Sequence, residues 1–466
     1  MGLYELDAKE LNTDEATSFF IAGLDWGDTW TSLSTSEANG SPFYLMLHFW
    51  RGLGDTEFVL RLLPLMFGIA TPVVLYFLVR RLFGPVHAAG AATLLAINLF
   101  FIAQTQDVRS YSLSAFLATL TTYFFVRLLE EESRWLPLAY VVSGALLIYA
   151  HFFGAWVLLV HAVSLLFIEK EKIPGRRLLI SFGSIAVLVV PLALFILFQD
   201  VGQVDWIPPL SVRTVYLHLD KLTGVGGIVQ VVLYGLLVVA AAVLAFRLVR
   251  KERRSRRTWT VVMVVLWLLV PLIGVFVISF VKPLFQARYL MVAMPAMTTC
   301  VVLAVAQLKR PAWVAIGFAA ILILTAARLP TWYAAPDERM WDDQSAIVLR
   351  NERIDDAIVL YAPTVIRPFG YHYGFYRGDV AHPEILYPPK DWLGFSRTRF
   401  NPPLDEIAAD ARRFDRVWLV IGAARPEERA VERVALVDKL KQTCAEINRE
   451  WKTVDLLLFE GCNQGP

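Results

Sequence analysis

Charge is scarce in this chain. Asp, Glu, Lys and Arg make up 18% of its 466 residues, while 56% are hydrophobic; a typical soluble domain carries about 25% charged residues. That deficit excludes an ordinary soluble protein and points to one that crosses a membrane many times. Cysteine is scarcer still. Cys300, Cys444 and Cys462 are the only three, and none stands in C-x-x-C spacing, which excludes the common zinc and dithiol redox motifs. Residues 1–13 are mostly polar and hold no apolar stretch of the kind a cleavable leader has. No internal repeat is visible. The net charge of +2 says little about partners; the placement of Lys and Arg says more, because in membrane proteins it reports orientation.

What the chain has in abundance is apolar runs. A helix that spans the hydrocarbon core needs about 17–25 apolar residues. Such runs lie near 57–79, 87–104, 110–128, 178–198, 226–248, 259–280, 289–307 and 311–328. Two shorter ones, 136–150 and 152–168, flank His151 and read as a tight helical hairpin. The expectation is ten spans.

The connections alternate in character. One set is short and basic: "RRLFG" (80–84), "RLLEEESR" (127–134), "EKEKIPGRR" (169–177), "RLVRKERRSRR" (247–257) and "LKR" (308–310). These hold seventeen Lys and Arg. The other set, 104–109, His151, 199–225 and 281–288, holds five. The positive-inside rule therefore puts the first set in the cytoplasm and the second outside, together with residues 1–55 and everything after residue 328. The run "RKERRSRR" is an orientation and anionic-lipid signal, not a nucleic-acid patch.

Residues 329–466 have soluble composition and read as an external α/β domain. "AIVLYA" (357–362), "RVWLVIG" (416–422) and "TVDLLLFE" (453–460) are strand-like, and 426–451 has helical apolar spacing. Cys444 would lie late in that helix and Cys462 after the last strand; outside the cell they could form a disulfide or remain two thiols. The resulting organisation is a first external loop (1–55), a transmembrane domain of about ten helices (56–328) and an extracytoplasmic α/β domain (329–466).

Several ionisable groups fall on the outward face: Asp14 and Glu15 in "LNTDEATSFF", Asp107 and Arg109 in "AQTQDVRSYS", His151, and Arg288 in "FQARYLM". Trp206 lies in the "DWIPP" of the long external loop. Each has an ordinary reading. Asn12 with Glu15 fits a capping box, an acidic first turn suits a helix dipole, the arginines could be interfacial anchors, Asp107 could pair with Arg109, and Trp206 could be an interfacial aromatic before a rigid turn. Ionisable groups near membrane depth are nonetheless costly and mark sites by default. Together they supply carboxylates that can take a proton from a hydroxyl and arginines whose planar fork fits phosphate oxygens.

On these residues the chain resembles the C-type (GT-C) integral-membrane glycosyltransferases. The likeness is to the bacterial branch related to dolichyl-phosphate-mannose–protein mannosyltransferases and aminoarabinose transferases. "TDEA" (13–16), "SPFYLMLHFW" (41–50), "AQTQDVRSYSL" (103–113), "AHFFG" (150–154) and "QARYLM" (286–291) are similar to that family's motifs in order and spacing. The resemblance implies a GT-C-like fold in the bacterial plasma membrane and an inverting transfer of sugar at the external face. The donor would be a polyprenyl-phosphate-linked sugar, and the acceptor a glycan, lipid or protein. Carried over by motif, Asp14 is the catalytic base. Glu15 supports it or, with Asp14 and Asp107, holds a divalent cation such as Mg or Mn. Arg109, Tyr111 and Arg288 bind the donor phosphate, while Asp107, His151 and Trp206 are further site candidates. Family members carry a transmembrane helix before the acidic motif, whereas thirteen residues precede Asp14 here; a helix encoded upstream of Met1, or a truncated homologue, would account for that. Two other classes compete with an enzyme. A lipid or glycan transporter would carry polar groups near the midplane of several spans, and an envelope assembly factor would tolerate loss of Arg109.

Overall fold

A computed structural model describes the chain apart from residues 1, 36, 199–206, 309, 336–339, 361–362, 378–382, 388–403, 422–426, 452–455 and 465–466. It falls into two compact units: Met1–Leu6 with Trp30–Ala335, and Asp7–Thr29 with Pro336–Pro466. Segment 7–29, which carries the acidic pair, thus clusters with the C-terminal part.

In chain order, α1 (Thr13–Ala22), α2 (Trp26–Thr35) and α3 (Ser41–Trp50) come first. The apolar unit then follows as α4 (Glu57–Phe83), α5 (Pro85–Ala96), α6 (Leu99–Thr105), α7 (Tyr111–Glu130), α8 (Leu136–Ala150), α9 (Gly154–Ser164), α10 (Gly175–Leu188), α11 (Val190–Phe198), α12 (Val212–Thr223), α13 (Ile228–Lys251), α14 (Arg256–Ile278), α15 (Met294–Val305), α16 (Pro311–Ala326) and α17 (Leu329–Tyr333). Six helices among the described residues are long and apolar enough to cross a membrane, or eight if each bent pair counts as one span. With the short pair α8 and α9, every run read from the sequence is helical.

Two of the ten runs are broken. Run 87–104 bends by 64° between α5 and α6. There the Asn98 side chain takes the Phe101 N–H (3.0 Å) and donates to the Leu222 carbonyl (3.1 Å), so it competes with the helical ladder. Run 178–198 bends by 44° between α10 and α11, where Pro191 lacks an N–H and disfavours helix in the residue before it.

The ends of the bundle differ. At the basic-loop end, Arg81 near the end of α4 pairs with both Glu130 and Glu131 at the end of α7. Arg127 pairs with Glu131 (2.6 Å), and Arg256 at the start of α14 with Glu130 (2.5 Å). Three of the five loops assigned to one side by their charge, 80–84, 127–134 and 247–257, therefore meet at one end. In the interior, His161 is held at both ring nitrogens, by the Tyr140 hydroxyl (3.0 Å) and Thr122 Oγ1 (3.1 Å), and stacks on Phe125. It binds α7, α8 and α9 together. Along the 20 residues of α7, at 1.5 Å each, the far end lies about 30 Å away.

The other unit is built on a five-stranded sheet, order β2-β1-β3-β5-β4: β1 (Ala357–Leu360), β2 (Glu384–Tyr387), β3 (Arg416–Val420), β4 (Glu446–Trp451) and β5 (Leu456–Glu460). Strand β1 runs parallel to β2 and β3, whereas β5 is antiparallel to β3 and β4. Alternate residues feed two cores. Val359, Leu419 and Phe459 face one, and Ile358, Trp418 and Leu458 face the other, as a sheet covered on both faces requires. Helices α18 (Trp341–Asn351), α19 (Pro363–Arg377), α20 (Leu404–Ala411) and α21 (Glu427–Lys441) complete the unit. The sequence reading of one helix over 426–451 is corrected here. Helix α21 ends at Lys441, and residues 446–451 form β4, because pairing along the edge of β5 outweighs local helical spacing. Strand β2 is an addition to the three strands read from the sequence. A disulfide joins Cys444, beyond the helix rather than late in it, to Cys462; Cys300 is buried and free.

Candidate active site

Within the apolar unit, residues from four separate segments gather at the end of the bundle remote from the ion-pair network. Arg109 stands just before α7, and its Nη1 donates to the Tyr44 hydroxyl (2.9 Å). That hydroxyl donates in turn to Glu37 Oε2 (3.3 Å), a carboxylate 5% exposed. Gly40 makes the approach possible. At φ +96° it turns the chain, gives its N–H to the Tyr149 carbonyl (2.9 Å), and places its Cα beside Ser110, where a Cβ would stand 3.4 Å from Ser110 Oγ. Neighbouring Asn39 accepts the Phe152 N–H (3.2 Å). One short loop thus ties Ser110, at the start of α7 beside Arg109, to the tip of the α8–α9 hairpin.

His151 occupies that tip and is 3% exposed. Its Nδ1 accepts the Phe153 N–H (3.3 Å), which leaves the proton of the neutral ring on Nε2. Nε2 is buried and has no hydrogen-bond partner among the described residues. The ring is enclosed by Tyr289 (5.2 Å between centroids), Phe153 (5.3 Å) and Tyr111 (6.0 Å). The Arg288 guanidinium lies over Tyr111 (5.6 Å) and Tyr289 (5.8 Å), an arrangement that holds a cation on aromatic faces. His151 is within electrostatic reach of both Arg109 and Arg288. Four residues named from the sequence, Arg109, Tyr111, His151 and Arg288, therefore stand together, and Asp107 adjoins them, its backbone carbonyl accepting the Arg109 N–H (2.6 Å).

Helix α12 adds two further basic groups. His218 Nδ1 accepts the Ala287 N–H (3.3 Å). Burial lowers its pKa to about 4, with Lys221 and Arg288 adding repulsion. Burial also lowers the Lys221 pKa, again with a contribution from Arg288. Arg288 and Lys221 thus crowd positive charge beside a neutral His218, a neighbourhood in which an anion would be favoured. Next to it opens an apolar cavity of about 250 Å³. It is lined from α12 (Leu219, Leu222), α13 (Tyr234, Gly235), α14 (Leu268, Leu272), Leu290 and α15 (Met294, Met297).

Asp14 and Glu15 belong to the other unit. The capping box expected from Asn12 and Glu15 is present. Asn12 Oδ1 accepts the N–H groups of Asp14 (2.8 Å) and Glu15 (3.0 Å), and Glu15 Oε2 accepts the Asn12 N–H (3.0 Å). Glu15 is consequently buried, and Asp14 is half-buried in the first turn of α1, where the helix dipole favours a negative charge. No group of three or more His, Cys, Asp or Glu able to hold a metal exists among the described residues. Neither Asp14 with Glu15 nor Asp107 stands in such a group. Trp206 lies outside the described residues. Sequence reasoning missed Glu37, Tyr44, Tyr289, His218 and Lys221; of these only Tyr44 and Tyr289 lay inside quoted motifs.

Comparison with known proteins gives this geometry a context. A family model described as dolichyl-phosphate-mannose-protein mannosyltransferase matches residues 42–202. The structure is similar, over 100% of this chain and 97% of the other, to apo ArnT from Cupriavidus metallidurans (TM-score 0.67, 13% identity). The chain has a GT-C-like fold. The same ArnT bound to undecaprenyl phosphate matches with a TM-score of 0.63 at 12% identity, over 99% of this chain and 96% of that one. The oligosaccharyltransferase of Archaeoglobus fulgidus in complex with Zn and sulfate matches with a TM-score of 0.53 at 12% identity, covering 90% of this chain and 65% of that one. No curated protein matches by sequence. The GT-C resemblance carried by the short motifs is thus met again in the family match and in the fold.

Proposed function

We propose that the chain is an inverting glycosyltransferase that moves a sugar from a polyprenyl-phosphate donor to an acceptor outside the cytoplasm. One observation carries the reading most. A cluster of half-buried arginines with tyrosines and a buried histidine, the last with a spare N–H, adjoins an apolar cavity. Such a site suits a ligand with an anionic head and a hydrocarbon tail. Arg109 and Arg288 hold the phosphate bidentately, Tyr111 and His151 Nε2 donate to its oxygens, and the cavity takes the first isoprene units. The ArnT structure with undecaprenyl phosphate shows that a protein of this fold holds such a lipid.

In this reading Asp14 removes the proton of the acceptor hydroxyl. The resulting oxygen attacks the anomeric carbon from the face opposite the phosphate. The carbon–oxygen bond to phosphate breaks, its electron pair leaves with the polyprenyl phosphate, and the arginines stabilise the charge that develops there. Glu15, engaged in the cap, supports Asp14 by fixing the helix start. The segregation of basic loops and the Cys444–Cys462 disulfide support placing the chain in a bacterial plasma membrane, with the arginine cluster and the C-terminal unit on the extracytoplasmic, oxidising side.

The test is transfer itself. Purified protein in lipid nanodiscs receives a panel of radiolabelled polyprenyl-phosphate sugars with an envelope extract. Label entering a glycan, lipid or protein product is the expected result. Absence of label with every donor, alongside failure to bind polyprenyl phosphate, would turn the reading toward an assembly factor.

A further inference from the structure

The unit that contains α1 holds it by contacts far from the acidic pair in sequence. Arg367 on α19 donates from Nη1 to Thr17 Oγ1 (2.7 Å). The Phe19 ring meets Tyr371 edge-on at 4.9 Å, and Phe20 packs against Gly370, where a Cβ would stand 3.4 Å from its ring. These contacts fix the C-terminal half of α1. Its start is fixed differently. Glu10, two residues before the Asn12 cap, turns its carboxylate onto the N-terminus of α18, taking the N–H of Trp341 (2.7 Å) and of Asp342 (3.3 Å). Asp342 is in turn gripped by His372 Nδ1 (2.6 Å), a ring 1% exposed on α19.

We propose that Glu10 is a positioning residue: by capping α18 it fixes the start of α1, and so the direction in which Asp14 presents its carboxylate. The α/β unit then has a defined task as the platform on which the acidic helix is mounted. The inference rests on the base role given to Asp14 above. A carboxylate at a helix N-terminus is an ordinary cap when exposed; here burial makes it conditional on pH. Burial raises the Glu10 pKa to about 7, opposed by the two N–H bonds and by His372 from α19, and assisted by Asp342 from α18; Lys9 and Asp7 flank it on its own segment. Burial of the charge outweighs the two N–H bonds, which by themselves favour the ionised carboxylate, so docking is strongest below the unfolded value near 4.5 and weakens as Glu10 ionises with pH rising through about 7.

Two variants separate positioning from plain structure. Glu10→Ala removes the cap. Glu10→Gln keeps an acceptor oxygen and mimics the neutral carboxyl. Full-length protein in nanodiscs is assayed for transfer between pH 5.5 and 9, and amide hydrogen exchange is followed over residues 13–22. Glu10→Ala should lower kcat about tenfold, as loss of a cap and of alignment predicts, with donor KM unchanged and faster exchange in α1. Glu10→Gln should restore kcat and abolish a fall in kcat through about pH 7 that the parent protein shows. The inference is overturned if Glu10→Ala leaves kcat and α1 exchange as in the parent, or if Glu10→Gln loses activity equally and keeps the pH step. A parent protein that transfers no sugar would overturn the base role instead, and α1 exchange in the two variants would still decide whether Glu10 holds the helix.

Discussion

The Glu37–Tyr44–Arg109 relay sets a quantitative expectation. Tyr44→Phe keeps the ring and removes one oxygen. Arg109 loses the acceptor at 2.9 Å and Glu37 a donor at 3.3 Å. Depriving buried polar groups of a partner costs about 1–3 kcal/mol. If that cost falls on the phosphate-bound state, donor affinity drops about 5- to 150-fold, at 1.4 kcal/mol per tenfold. Arg109→Lys keeps the charge but loses the planar fork, so its loss should fall in the same range. The residues are in contact, so their effects should not add; a coupling of about 0.5–3 kcal/mol is expected for such neighbours. The assay is Kd for polyprenyl phosphate by titration into nanodisc-held protein, with donor KM beside it, for both single variants and the double. Parent-like affinity in Tyr44→Phe and Arg109→Lys would refute the phosphate role of this corner of the cluster. Strictly additive losses would refute the relay.

Two further outcomes follow from the geometry. Gly235 lines the apolar cavity with open space where a Cβ would stand. Gly235→Leu should therefore weaken binding of a long-chain polyprenyl phosphate while sparing an analogue with a single isoprene unit, and parent-like affinity of the variant for the long-chain ligand would remove the cavity from donor binding. The Cys444–Cys462 disulfide closes a loop with a separation of 18 residues, which by chain entropy stabilises its unit by about 3 kcal/mol. The Cys444→Ser variant should melt lower than the oxidised parent and, unlike the parent, be indifferent to reductant; a parent whose melting ignores reductant would contradict this.

Much of the apolar unit was legible because lipid leaves the chain few choices: long apolar runs must be helices, and basic loops segregate. The breaks at Asn98 and Val189 were not read, although Asn98 and Pro191 are local signals that a count of apolar residues passes over. In the α/β unit, strands β1, β3 and β5 announce themselves by β-branched and aromatic runs, but β4 was hidden in a sequence of helical spacing, since its pairing with β5 is a tertiary fact. Arg109, His151 and Arg288 could be picked out as ionisable exceptions near membrane depth, and Tyr111 only through the motif resemblance. Glu37 could not, because a lone carboxylate in a polar loop carries no mark of the burial it meets. Nor could the contact of Glu10 with Trp341, which joins residues 331 apart, beyond the reach of periodicity or capping rules.

Sugar transfer from a polyprenyl phosphate with Asp14 as base stands or falls on the Asp14→Asn variant. The variant is offered whichever labelled donor the parent accepts, and polyprenyl-phosphate binding is measured on the same sample. Parent-like binding with transfer reduced to background is expected, because the asparagine keeps the helix start but cannot take the proton. Full transfer by Asp14→Asn would contradict it.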